Sequence, residues 1–304
     1  MLTDPRRAPS ATACVLCGLR QRRQFTRLLA TALVLPALPA AHAQGGADGG
    51  VRDDVGRASR LAKLVPAEQL EAAAAQQYLQ MTREFKSRQA LAPPEHPQLQ
   101  RLRAIAQRII PYTPPWNERA RQWRWEVNLL GSPELNAFCM PGGKIAFYSG
   151  ILKKLQLNDD EVATIMGHEV AHALREHARE RMGKTMATRG LIEIGSALFG
   201  LGQIGRSVAD MGGQLLTLKF SRDDETEADI VGMDLAARAG YDPAAGVSLW
   251  QKMLATNKGA PPQWISTHPA SDNRIREIQA KLPKVQPLYE KAAKPPQRFE
   301  PYAA

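Results

Sequence analysis

His168-Glu169-Val170-Ala171-His172 sets two imidazoles four residues apart, with a carboxylate beside the first. On an α-helix, positions four apart lie about 40° apart around the axis, so both rings point the same way and can share one metal ion. Glu169 sits next to that face, within reach of a water that the metal activates. Two histidine ligands and a glutamate base are what hydrolysis of a peptide bond on zinc requires. An amphipathic helix with two half-buried histidines is the plain alternative, so the pentapeptide needs support from elsewhere in the chain. A catalytic zinc takes three protein ligands. The same segment does not supply the third, because Arg175 and Ala178 stand where an H-E-x-x-H-x-x-G-x-x-H extension needs glycine and histidine. His177 is about 180° round a continuous helix from His168 and reads as a surface residue.

Glu225-Thr226-Glu227-Ala228-Asp229 offers the carboxylates. Glu225 and Asp229 share a helix face, whereas Glu227 lies about 200° from Glu225. If one acid binds the metal and another accepts the free ring N–H of a ligand histidine, the pair is Glu225 and Asp229. A solvated acidic helix start accounts for Asp223 and Asp224, but less well for the apolar stripe Ala228, Ile230 and Met233 that follows.

The elements that must hold these groups follow from periodicity. Pro66–Arg88 reads as a helix with proline in its first turn. Pro97–Ile110 carries Leu99, Leu102, Ile105, Ala106 and Ile109 on one stripe, which predicts an amphipathic helix. Trp123, Trp125, Val127 and Leu129 alternate with polar residues and predict a strand. Asn136–Met140 and Ile145–Tyr148 are two further strands joined by the turn Pro141-Gly142-Gly143, and Gly150 closes the last. Asn158 caps the His168 helix, with Asp159, Asp160 and Glu161 in its first turn. Ser221–Ala239, Pro243–Thr256 and Pro269–Leu282 are helical. The chain from Pro283 is proline-rich and reads as an irregular tail over residues 283–304. The low-charge stretch Gly190–Gly213 reads as a lid over the cleft, a membrane-surface segment, or core helices with flexible joints.

The N-terminus is a targeting segment. Basic residues from Arg20 to Arg27 precede the 13-residue apolar run Leu28–Ala40, followed by Ala41-His42-Ala43. That order is a secretory signal cleaved after Ala43. Arg22-Arg23-Gln24-Phe25 resembles a twin-arginine export motif. Export to a bacterial periplasm is the reading, with a mitochondrial transit peptide as the alternative. Cys14 and Cys17 lie in this segment, which leaves Cys139 as the one mature cysteine and no intramolecular disulfide. Of the 304 residues, 44% are hydrophobic and 23% charged, as in a soluble globular chain. The net charge of +10 owes half its size to residues 1–43, which hold six arginines and one acid; the remainder has 34 basic and 29 acidic groups. That balance argues against a nucleic-acid partner.

Four segments occur in a familiar order: Asn136-Ala137-Phe138 leading to Pro141-Gly142-Gly143, Gly167 to His172, Ser221-Arg222 leading to Glu225–Asp229, and Thr267-His268-Pro269 leading to Arg274-Ile275. Together they resemble the zinc metalloendopeptidase family of CAAX prenyl proteases and HtpX-like proteases, and most its soluble periplasmic and mitochondrial quality-control branch. The chain lacks the membrane helices of the prenyl proteases and HtpX-like members, which argues against a membrane-embedded active site and against prenylated substrates. The resemblance implies a mainly helical α+β, zincin-like fold with a small β-sheet before the HExxH helix. It implies residues 44–94 as an N-terminal tail and helix, and residues 95–282 as the protease domain. It implies one Zn2+ per chain held by His168, His172 and Glu225, with Glu169 as catalytic base. Asp229 and Arg274 would support the ligands, and Asn136 and Ala137 would hold an extended substrate. His268 would donate to the oxyanion, fill the open metal position, or have no role. The implied partners are polypeptides, misfolded or membrane-associated, with a possible peripheral contact to the membrane or to outer-membrane proteins. The rival class is a peptide-binding chaperone that keeps the cleft without turnover; the intact Glu169 argues against it. A purely structural zinc site is a second rival, which three ligands and a carboxylate base disfavour.

Overall fold

The computed structural model describes residues 49–56, 58–198, 215, 218–256, 263–268 and 273–302. The targeting segment 1–43 and residues 199–213 of the expected lid fall outside the described residues.

Among the described residues the chain is mainly helical, with one three-stranded sheet. Helix α1 spans Ala67–Ser87 and α2 spans Pro97–Ile109. All five apolar residues of the α2 stripe are buried. Strand β1 is Glu126–Leu130, β2 is Ala137–Met140 and β3 is Lys144–Tyr148. The strand expected from Trp123 begins three residues later, and Trp123 packs on Trp125 at 5.3 Å ahead of it. The sheet order is β1-β3-β2, with β1 parallel and β2 antiparallel to β3. Strand β2 is therefore an edge. Gly142 and Gly143 turn the hairpin at φ +83° and +78°, a region in which side chains are strained.

Helix α3, Ser149–Leu155, was not expected, because Gly150 reads as a strand terminator. There a Cβ would meet the Pro133 carbonyl oxygen at 2.3 Å, so the glycine serves a close approach and not a break. Helix α4 is Asp159–Leu174. Asn158 caps it reciprocally: its side chain accepts the Glu161 N–H at 2.9 Å, and the Glu161 carboxylate accepts the Asn158 N–H at 2.9 Å. Helix α5 runs His177–Leu198, so the first nine residues of the expected lid continue a helix. Helix α6 is Arg222–Arg238, with Ser221 and Asp224 forming a second capping box. Helices α7 (Ala245–Thr256), α8 (Gln263–Thr267) and α9 (Arg274–Lys291) follow.

The irregular tail expected from Pro283 begins only at Ala292, because α9 passes through Pro283 and Pro287. Both prolines and the Gln279 backbone partner lost to Pro283 are exposed, so water can satisfy the freed carbonyls. Buried Ile278 and Val285, with Leu282 and Leu288 packed on the core, keep the helical period across them. Burial of that stripe outweighs the lost backbone bonds.

Helix α4 is buried over nearly its whole length and packs most extensively on α6. The crossing is tight: a Cβ on Gly167 would lie 2.6 Å from the Gly232 carbonyl oxygen, and one on Gly232 would lie 2.7 Å from the His168 nitrogen. Both obstacles are helix backbone and cannot swing away. Gly232→Ala is therefore expected to lower the unfolding free energy by about 1–2 kcal/mol, the overpacking cost exceeding the gain in helix propensity of about 1 kcal/mol. Urea denaturation measures it; an unchanged or raised midpoint would show that the helices can separate freely.

Candidate metal centre

His168 and His172 lie on α4 where every residue from Val162 to Leu174 except Thr164 is buried. Helix α6 crosses that face and brings Glu225 and Asp229 to it. His168 Nε2 and His172 Nε2 are 3.0 Å apart. Glu225 lies 3.6 Å from the first and 3.5 Å from the second. His268 Nδ1 is 3.2 Å from His168 Nε2 and 2.9 Å from Glu225 Oε1. These four side chains form a buried group whose ligand atoms lie within 4.8 Å of one another. Tetrahedral ligands about 2.0–2.1 Å from a zinc are roughly 3.3–3.4 Å apart. The separations of 2.9–3.6 Å among the three imidazoles and the two Glu225 oxygens bracket that spacing, and nitrogen and carboxylate donors suit that ion.

The groups around this cluster set its charge. Burial pushes His172 well below the ordinary imidazole range, so it stays neutral with a lone pair to give. Burial alone would raise Glu225, but His268 and His172 beside it hold it below the usual carboxylate range. Asp229 is likewise lowered against its burial by Arg274 and His168. Burial would lower His268, yet Glu169 and Glu225 raise it. Asp229 Oδ1 lies 2.9 Å from His168 Nδ1 and leaves Nε2 facing the cluster. Arg274, the first residue of α9, donates to Asp229 at 2.5 and 2.7 Å and to Glu225 at 2.8 Å. Its guanidinium lies 3.8 Å over the Trp250 ring. A single buried cation thus neutralises both acids and fixes their distance from α4.

Glu169 points to the opposite side of the cluster, into a cleft that Asn136, Ala137, Cys139 and Phe220 also line. Its carboxylate accepts the Trp264 indole N–H at 2.6 Å and lies 3.5 Å from His268 Nε2. Asn136 Oδ1 accepts the Ala137 N–H at 2.9 Å on the free side of β2. Cys139 is buried, and burial raises its thiol, with Glu169 adding to the effect. It stays protonated and packs.

Four groups at the site were not legible in the sequence. Trp264 orients Glu169. It lies four residues before His268 on the short α8, a spacing that could have signalled a shared face. Phe220, just before α6, stacks on His172 with centroids 4.0 Å apart. Glu227 was set aside as facing away from Glu225. His177 was expected at the surface and is instead 1% exposed. The expectation assumed an unbroken helix, but α4 ends at Leu174 and Glu176 takes φ 58°. That left-handed residue swings His177 back, so that its Nδ1 is 2.9 Å from His172 Nδ1 and its Nε2 3.0 Å from Glu227. Burial would raise Glu227, but His177 and Arg175 hold it low.

Residues 94–282 match the profile of peptidase family M48. The chain is 37% identical over 166 residues to the protein named mitochondrial metalloendopeptidase OMA1 in Schizosaccharomyces pombe, covering 54% of this chain and 48% of that one. It is 32% identical over 219 residues to the protein of the same name in Saccharomyces cerevisiae, covering 68% and 62%. It is 26% identical over 170 residues to the beta-barrel assembly-enhancing protease of Escherichia coli, covering 53% and 35%. The chain thus spans between a third and two thirds of the length of these relatives.

Proposed function

The chain belongs to peptidase family M48, whose metalloproteases use zinc, and on that premise we propose that it is a zinc-dependent metalloendopeptidase acting on extended polypeptide segments. The observation that carries this reading is the buried group of His168, His172 and Glu225 with the Glu169 carboxylate beside it at the cleft. His168, His172 and Glu225 would hold the zinc, which supplies a Lewis acid that polarises the scissile carbonyl and acidifies water. Glu169 takes the proton of the attacking water and delivers it to the leaving amine. The Trp264 N–H fixes the orientation of that carboxylate. Asp229 keeps the His168 proton on Nδ1, and Arg274 holds Asp229 and Glu225 in register. An extended peptide can lie along the free edge of β2 at Ala137, with Asn136 beside it.

Residues 95–282 are taken as the protease domain. The substrates are proposed to be misfolded or membrane-associated proteins, with peripheral contact to a membrane. The name of the Escherichia coli relative, beta-barrel assembly-enhancing protease, supports a role among membrane proteins; the peripheral contact is proposed on the family resemblance. Among the described residues no helix is long and apolar enough to cross a membrane. Residues 1–43 are proposed to deliver the chain to a periplasm. The mitochondrial destination is the second reading, and the relatives named as mitochondrial favour it. N-terminal sequencing of the protein from each cell fraction decides between them.

Glu169→Gln is expected to keep zinc and lose casein cleavage, since an amide cannot accept the proton. Near-normal turnover by the zinc-loaded variant would leave the peptide-holding chaperone as the better reading. Glu225→Ala is expected to release the metal.

His268 Nδ1 stands at the fourth corner of the cluster. His268→Ala is therefore expected to raise turnover by clearing that position. A fall of about two to three powers of ten would instead make it the donor to the oxyanion.

A further inference from the structure

Two histidines of α4 face the metal centre, and each must present Nε2 with its lone pair. The other ring nitrogen then carries the proton and needs an acceptor, because both rings are buried. For His168 the acceptor is the usual carboxylate, Asp229, at 2.9 Å. For His172 no carboxylate among the described residues reaches Nδ1. The atom 2.9 Å away is His177 Nδ1.

Two imidazole nitrogens at that distance share one proton between a donor and an acceptor. With His172 Nδ1 donating, His177 Nδ1 accepts, and His177 must carry its own proton on Nε2. That nitrogen lies 3.0 Å from Glu227 Oε2, which can only accept. Arg175 Nε donates to the other Glu227 oxygen at 2.6 Å and holds it in place. Every donor in the series meets an acceptor, and only one assignment of protons satisfies all of them. The residue that makes the series possible is Glu176, whose left-handed backbone returns His177 to the ring it would otherwise leave.

We propose that His177 is a positioning residue for the metal centre. It accepts the hydrogen bond of His172 Nδ1–H and donates its own Nε2–H to Glu227, which fixes the His172 ring with Nε2 toward the metal. The arrangement extends the carboxylate–histidine pairing by one imidazole. Helix α6 supplies both terminal acceptors, Asp229 directly and Glu227 through His177. The inference rests on zinc binding as read above, but not on peptidase activity.

The test is the rate at which the zinc-loaded full chain gives up its metal to an excess of a colorimetric chelator. His177→Phe keeps the ring volume and removes both nitrogens. It is expected to release zinc 10–100-fold faster, the range for loss of an outer partner of a ligand. His177→Gln offers one acceptor and one donor and is expected to recover most of the retention. Glu227→Ala removes a quarter-exposed side chain, leaves no hole in the core, and is expected to speed release severalfold. Unfolding midpoints of the metal-free forms separate a change at the metal from a change in fold. Zinc release from His177→Phe at the wild-type rate would overturn the proposal. So would equal leakage from His177→Phe and His177→Gln, which would reduce the ring to a space filler. Should His177→Phe fail to fold, an unaltered rate for Glu227→Ala overturns it alone. A wild-type chain that binds no zinc would overturn the metal-centre reading itself, and this proposal with it.

Discussion

The crossing of α4 over α6 at Gly167 and Gly232 sets the distances between the histidines of the first helix and the acids of the second. Neither helix carries a side chain there, so backbone meets backbone and the helices approach more closely than any Cβ would allow. The closeness matters because the acids on α6 are short. Asp229 reaches His168 Nδ1 at 2.9 Å only when the two helices touch, and Glu225 reaches the space between the imidazoles for the same reason. The reciprocal caps of Asn158 and Ser221 fix where each helix begins, and so which residues stand at the crossing.

A centre of this kind is costly to bury. Four histidines, two acids and one arginine are at most 4% exposed, and each charge removed from water must be met by another. Arg274 carries much of that duty. It satisfies two carboxylates at once and rests its flat face on Trp250, where an ammonium could not spread its donors so widely. The centre is therefore assembled from four separate stretches, α4, α6, the end of α8 and the start of α9. None of them contains the site alone.

The cleft side is built differently. There Glu169 meets the Trp264 indole at 2.6 Å and His268 Nε2 at 3.5 Å, and Cys139, Phe220 and Ala173 line the same cleft. A carboxylate proposed to exchange protons thus has a firm hydrogen bond to hold its direction. The charged side of the centre holds the proposed ligands, and the less polar side is the cleft proposed to take a peptide.

The sequence by itself determined what is local. The four-residue spacing of His168 and His172 fixes a shared face whatever surrounds it, and the same holds for Glu225 and Asp229, because helical period is a property of the backbone. The hairpin at Gly142-Gly143 and the cap at Asn158 were legible for that reason. What failed were inferences that carried a local rule past its end. Gly150 and Pro283 read as breaks, yet a close approach and a buried apolar stripe decided both. His177 read as exposed because the helix was extended through Glu176, where the chain turns. Only the tertiary structure decided that Glu227, on the far face of α6 from Glu225, meets a histidine of its own, and that Trp264 and Arg274 reach two sides of one centre. Those contacts join residues that lie 45 to 106 positions apart. No periodicity links such positions; the packing of α4 on α6 brings them together.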